Sequence, residues 1–229
     1  SLFMVWYLES KYGKEWVTGN QCNYTEEEIA EGFEMIQSLE EAHVIPTLQM
    51  IADNAANPVE QSPVWTGGKW AGVYTWNTSS ANPKAALPNP EAMVTSHMFE
   101  GFPHKGGMFR ASMTFGITKT CKYPKEAAAL LEFMLNDPEG VALMANERGI
   151  PYSKAGLEAL EASGNVDELT KMATEYALED NTFPMDEYFE CSEYKATTEG
   201  LYDKVFNAFA YGETDAKGAA KMLLDGMNA

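Results

Sequence analysis

The sequence predicts an α/β protein with helix in excess, about eight helices set around three or four short strands. Three observations predict it. Capping signals at Thr25, Asn165 and Thr214, and prolines at 124 and 138, open runs whose apolar residues recur every three or four positions. Two short apolar runs, 71–76 and 113–118, have the length of buried strands and lie among Gly-, Pro- and Asn-rich stretches. The 229 residues are 45% hydrophobic and 12% aromatic. That is enough apolar surface to offset chain entropy in one large domain or two small ones.

The elements follow in order. Ser1 to Glu9 reads as the middle of an amphipathic helix with no cap before it. We therefore expect a piece of a longer protein, in which the lack of a secretion signal is uninformative. Thr25-Glu-Glu-Glu28 is a capping box, and Ile29, Phe33 and Ile36 follow at helical spacing, so 25–42 is a helix ended by His43-Val-Ile-Pro46. Residues 53–68 and 77–90 are polar loops around the 71–76 strand. Residues 93–99 alternate weakly and read as a strand, and 113–118 is a better one, preceded by Gly106-Gly107. Pro124 starts a helix whose Ala127, Leu130, Leu131 and Met134 share a face. Asp137-Pro138 starts the next, with Gly149 as its cap. Asn165 to Glu168 caps a helix with Leu169, Met172 and Tyr176 inward. Leu201, Val205, Phe206 and Phe209 line another that ends at Gly212. Thr214 caps the last, with Ala216, Ala220, Leu223 and Leu224 apolar.

Composition removes several function classes. Acidic residues outnumber basic ones 34 to 16, a net charge of −18. Such a surface repels phosphate backbones and anionic headgroups, which argues against nucleic-acid binding. No run is long and apolar enough to span a bilayer. Cys22, Cys121 and Cys191 are widely spaced; a Cys22–Cys191 bridge is compatible with an exported protein, and three free thiols is the simpler reading. His43, His97 and His104 have no ligand spacing, so we expect no metal. Neither a phosphate loop, a dinucleotide fingerprint nor a nucleophile elbow is present, so we expect no cofactor and no catalytic residues.

Gly67-Gly-Lys-Trp-Ala-Gly-Val-Tyr-Thr-Trp76 resembles the G-K-x-A-M-x-x-x-G-x-W segment of the family 1 extracellular solute-binding proteins, the maltose-binding-protein-like group. Gly106 to Phe133 is similar to that family's G-G-x-x-x-x-I-x-K-x-S-K-x-P-E-x-A segment. Asn136 to Glu139, Gly149-Ile-Pro151 and Tyr211 to Ala219 match its continuation in order. Gly72, Cys121 and Gly218 depart from the pattern.

The resemblance implies a periplasmic-binding-protein-like type II fold, incomplete and mostly the second lobe. Residues 1–109 and 156–229 would form that lobe, and 110–155 would belong to a first lobe that is largely absent. The strand at 113–118 would then lack neighbours, and we expect it to be rearranged or to pair with another copy in a homo-oligomer. The implied function is the substrate-binding component of an ABC importer. It would capture a carbohydrate or similar small polar solute in an interlobe cleft, without catalysis, and dock on a membrane permease. The implied location is the periplasm or, as a lipoprotein, the outer face of the cytoplasmic membrane. An incomplete cleft should bind weakly or not at all. The alternative is a carbohydrate-active hydrolase with a helical accessory region; a helical interaction module is a weaker third reading, because of the two strand patterns.

Sugar binding needs flat aromatic faces for ring C–H surfaces and polar side chains for hydroxyls. Trp76 ends the 71–76 run where the family places a cleft aromatic, and Asn77 and Thr78 follow as hydroxyl partners. Arg110 is one of two arginines, at the expected lobe crossing, and its planar fork suits bidentate contacts. Phe109, with Met108, would line the same edge. Tyr188 and Glu187 are candidates from the 183–189 stretch. Tyr74 is read as core, and Trp65 and Trp70 as anchors of the Gly67-Gly68 turn.

Overall fold

A computed structural model describes residues 1–47, 49–51, 58–97, 99–110, 113–145, 150–151, 153–180 and 182–229. Its helices are α1 (Leu2–Tyr12), α2 (Glu26–Glu41), α3 (Pro63–Thr66), α4 (Ala81–Ala85), α5 (Pro124–Asn136), α6 (Pro138–Met144), α7 (Lys154–Ser163), α8 (Glu168–Asp180), α9 (Ser192–Lys195), α10 (Leu201–Ala210) and α11 (Ala216–Met227). The strands are two residues each: β1 (Val17–Thr18), β2 (Gln21–Cys22), β3 (Met108–Phe109) and β4 (Phe183–Pro184). The chain gathers into two compact units. The first comprises Ser1–Ser62, His97–Phe109 and Glu179–Ala229; the second comprises Pro63–Ser96 and Arg110–Leu178.

The first unit has the larger core. Helix α1 turns Met4, Val5 and Leu8 inward, α2 turns Ile29, Phe33 and Ile36 inward, and all six are buried with Val205 of α10 and Ala219, Ala220 and Leu223 of α11. Each such aliphatic side chain contributes about 1.5–3 kcal/mol on burial. Gly32 lies where α1 crosses α2: a Cβ there would stand 2.7 Å from Met4 Cγ. The capping box forms as the sequence predicts, with the Glu28 N–H donating to Thr25 Oγ1 (3.2 Å) and the Thr25 N–H to Glu28 Oε2 (2.8 Å). Strands β1 and β2 form an antiparallel hairpin whose Gly19 and Asn20 both take positive φ, the requirement of a tight two-residue turn. Strands β3 and β4 pair in parallel, Met108 opposite Phe183 and Phe109 opposite Pro184.

One acid lies in this core. Glu9 is 1% exposed, its Oε1 accepts from the Trp16 N–H at 3.3 Å, and its Oε2 has no partner. Burial pushes the carboxyl up to about 8, against the smaller pull of the Trp16 and Gly107 N–H groups.

The second unit packs less deeply. Val141, Ala159 and Leu160 form its buried cluster, with Ile150 and Val166 against it. Asp137 opens α6 by accepting from the Glu139 N–H at 2.9 Å. Ser153 opens α7 by accepting from the Gly156 N–H at 3.0 Å. The face predicted for α5 is not covered: Leu130 is exposed, and no residue of α5 is fully buried. The inward Met172 predicted for α8 is exposed too, whereas Leu169 is buried.

The predicted strands are the main correction. Residues 71–76 and 113–118 form no ladder, and neither do the described residues of 93–99. A strand needs a ladder partner for its backbone groups, and among the described residues no ladder includes these segments. Met113, Phe115 and Ile117, spaced by two and so meant for one buried face, are all exposed. Phe99 takes φ +52°, which breaks any extension there. Two caps also shift. Asp215, not Thr214, accepts from the Gly218 N–H (2.8 Å). Asp167, within the predicted 165–168 signal, accepts from the Leu169 and Thr170 N–H groups. Gly149, predicted as a cap, lies outside the described residues. The three cysteines are free thiols.

Candidate ligand-binding site

The second unit brings Trp76 and Arg110 together. Trp76 stands before a 3-10 turn (Asn77–Ser79) with extended backbone, φ −66° and ψ 143°, and is 38% exposed. The Arg110 guanidinium carbon lies 5.6 Å from the Trp76 ring centroid. Such a stack is worth about 0.5–1 kcal/mol at an exposed position. It also holds the guanidinium beside an aromatic face, where its donors flank whatever lies on the ring.

A hydrogen-bonded scaffold fixes the turn that carries Trp76. The Asn77 amide donates to Thr174 Oγ1 at 3.2 Å, and Thr174 donates to the Thr170 carbonyl at 2.8 Å. Buried Thr170 donates to Asp167 Oδ2 at 2.6 Å. Ser80 donates to the Asn77 carbonyl at 3.1 Å, and its oxygen lies 3.1 Å from Thr170 Oγ1, so the hydroxyl sits between the turn and α8. Burial raises the Asp167 carboxyl, but the Thr170 hydroxyl and N–H, Lys84 and the Leu169 N–H outweigh it and hold the group below its ordinary range. Asn77 keeps its Oδ1 as an acceptor, and Thr78 beside it is half-buried. The arrangement offers one aromatic face, the forked donors of Arg110, and an amide oxygen.

The other candidates lie in the first unit. Phe109 is 46% exposed on β3, and its carbonyl accepts from the Met185 N–H at 2.9 Å. Met108 is buried in the core. Tyr188 is 46% exposed in a turn where its N–H donates to Asp186 Oδ1 at 3.2 Å, and Glu187 is exposed. Tyr74, read as core, is 41% exposed, in a stretch that forms no ladder among the described residues. Trp65 anchors its turn as expected: it is 2% exposed, and its indole N–H donates to the Pro83 carbonyl at 2.8 Å. Sequence reasoning missed Ser80, Thr170 and Thr174. The Asp167–Thr170–Thr174 spacing, one residue per helical turn, was the available signal.

Among the described residues, no group of three or more His, Cys, Asp or Glu side chains is arranged to hold a metal ion. No described helix is long and apolar enough to cross a membrane.

No family model matches the sequence. Solved structures do match its fold. A periplasmic oligogalacturonide-binding protein from Yersinia enterocolitica aligns at a TM-score of 0.75 and 25% identity, over 99% of this chain and 59% of its own. The same protein is known in complex with saturated digalacturonic acid. A family 1 extracellular solute-binding protein from Alicyclobacillus acidocaldarius aligns at 0.65 and 18%, over 99% and 56%. A de novo designed cysteine esterase shares the fold at 0.76 and 25%, over 98% and 56%. The chain thus has the helix-rich fold of periplasmic and extracellular solute-binding proteins, the expected resemblance. It spans a little over half the length of the proteins it matches.

Proposed function

We propose that this chain, built on the fold of solute-binding proteins, belongs to the substrate-binding component of an ABC importer and captures a carbohydrate or similar small polar solute without transforming it. The single observation that carries the reading is the stacked Trp76–Arg110 pair beside the anchored Asn77. An aromatic face meets the C–H surface of a ring, while the guanidinium and amide answer its hydroxyls or a carboxylate. The interlobe cleft, the lobe boundaries (1–109 and 156–229 against 110–155), the roles of Thr78, Phe109 and Tyr188, the permease partner and a periplasmic or lipoprotein location belong to the same proposal. So does pairing of 113–118 with a second copy, which a clean monomer by light scattering would remove.

The hydrolase alternative needs a raised carboxyl open to substrate. Glu9 is raised, but it is sealed in the core. A thiol mechanism like that of the designed esterase fares no better at Cys22, whose thiol is pushed up to about 11 by burial and so stays protonated. Calorimetric titration with neutral mono- and oligosaccharides and with digalacturonic acid tests the reading. We expect one of these to bind and Trp76→Ala to abolish it. Binding that survives both Trp76→Ala and Arg110→Ala, or turnover of a chromogenic glycoside, would refute the proposal.

A further inference from the structure

The first unit holds a cavity of about 240 Å³ that the Trp76 site does not use. It lies between the start of the chain and the 97–107 stretch, closed at one end by the last residues of α8. Its apolar side is aromatic: Trp6, Phe99 and Phe102 line it. Phe99 is wedged among Phe3, Trp6, Tyr7 and Phe102 at centroid distances of 5.3 to 6.4 Å. Holding a phenylalanine at φ +52° is costly, and such backbone persists only where the surroundings over-determine it.

The polar side is built around Asp180. This carboxylate is only 7% exposed, and it grips two cavity-lining side chains, His97 Nδ1 on Oδ2 at 2.8 Å and Lys105 Nζ on Oδ1 at 3.5 Å. The stretch is stapled to α1 by the His104 N–H, which donates to the Ser10 carbonyl at 3.2 Å, and by the His104 ring, which lies on Gly13. Gly106 presses so close to the Ser10 backbone that no Cβ fits between them. The wall is thus preformed.

Charge and size select the occupant. Donors (His97, His104, Lys105) and acceptors (Glu100, Glu179, Asp180) line the cavity together with the aromatic rings. A purely anionic ligand would meet Glu100 and Glu179, while Lys105 and His97 are already turned to Asp180. A hydroxyl can donate and accept, so a ring of hydroxyls satisfies both sets. The volume falls below the roughly 300–1,000 Å³ of sites for drug-sized ligands, enough for one ring but not an oligosaccharide. We infer that this cavity is a second binding site, for a single neutral hydroxylated ring of monosaccharide size. It shares the ligand class of the reading above but none of its residues, and every lining residue belongs to the first unit.

Saturation-transfer NMR on the Trp76→Ala/Arg110→Ala variant, which removes the other proposed site, tests it, with methyl glucopyranoside and methyl galactopyranoside as neutral probes and galacturonate and choline as charged controls. We expect transfer from a neutral glycoside. It should fall at least fivefold in Phe102→Ala and in Lys105→Ala, both at partly or largely exposed positions, with unchanged circular dichroism and melting temperature. Because Trp76 and Arg110 are already removed in this background, failure of the other site leaves the readout untouched and the two proposals fail separately. Absence of transfer from both glycosides, transfer that survives the Phe102→Ala/Lys105→Ala double variant, or preference for galacturonate or choline would each overturn the inference.

Discussion

Replacing Glu9 by glutamine should flatten the dependence of stability on pH. In the folded chain the Glu9 carboxyl binds its proton up to about pH 8, whereas the unfolded chain releases it near the ordinary 4.5. Between these values the folded state holds the extra proton. The stabilisation is complete below about pH 4.5 and is lost as pH rises through the window. At about 1.4 kcal/mol per pH decade, the loss between pH 4.5 and 7 is about 3 kcal/mol. Glutamine keeps an oxygen for the Trp16 N–H and puts an uncharged donor where Oε2 meets no partner, much as the protonated acid does. The two proteins should therefore match within about 1 kcal/mol at pH 4.5 and diverge above it, glutamine being the more stable. Urea denaturation followed by circular dichroism at four pH values from 4.5 to 7.5 measures both slopes. The other titrating groups cancel in the difference. Parallel curves would refute the claim that Glu9 is folded as a neutral acid.

Four further outcomes are expected. Leu223→Ala, at a side chain with no exposure, should cost about 2–5 kcal/mol in chemical denaturation, while Leu130→Ala, at 57% exposure, should stay within about 0.5 kcal/mol. Asp215→Ala should cost about 1 kcal/mol and Thr214→Ala little, which identifies the cap of α11 directly. Gly106→Ala should cost about 1–3 kcal/mol or more, since its Cβ meets the Ser10 backbone, which has no rotamer to yield. Arg110→Lys should lower solute affinity without moving the melting temperature, because a lysine lacks the forked donors that the guanidinium holds beside the Trp76 ring.

What was legible in the sequence was local. The Thr25–Glu28 box, Pro124 at the head of α5 and the apolar spacing of α11 involve groups three or four residues apart, and they fold as written. The strands were not legible, because a ladder depends on a partner that spacing cannot reveal. Met113, Phe115 and Ile117 alternate as a strand should and still stand exposed. The actual hairpin turns on Gly19-Asn20, a signal too short to weigh against 71–76. Trp76 and Arg110 could be proposed one by one from residue type and order. Their holding network could not: Asn77 reaches Thr174 across 97 positions and Ser80 reaches Thr170 across 90. The 97–107 cavity was equally hidden, since His97 and His104 read as isolated histidines until Asp180 is placed beside one and Gly13 beneath the other.

The first unit closes its core with both ends of the chain. Phe33 of α2 meets Phe206 and Phe209 of α10, each at 5.0 Å between ring centroids. About 160 residues separate the end of α2 at 41 from the start of α10 at 201. At a translation rate of roughly 5–20 residues per second, the nascent α1 and α2 wait some 8–30 seconds with their greasy stripes bare. During that interval the exposed apolar faces of the emerging polypeptide would offer a binding surface to holdase chaperones. Its yield in a cell should depend on how well those are supplied.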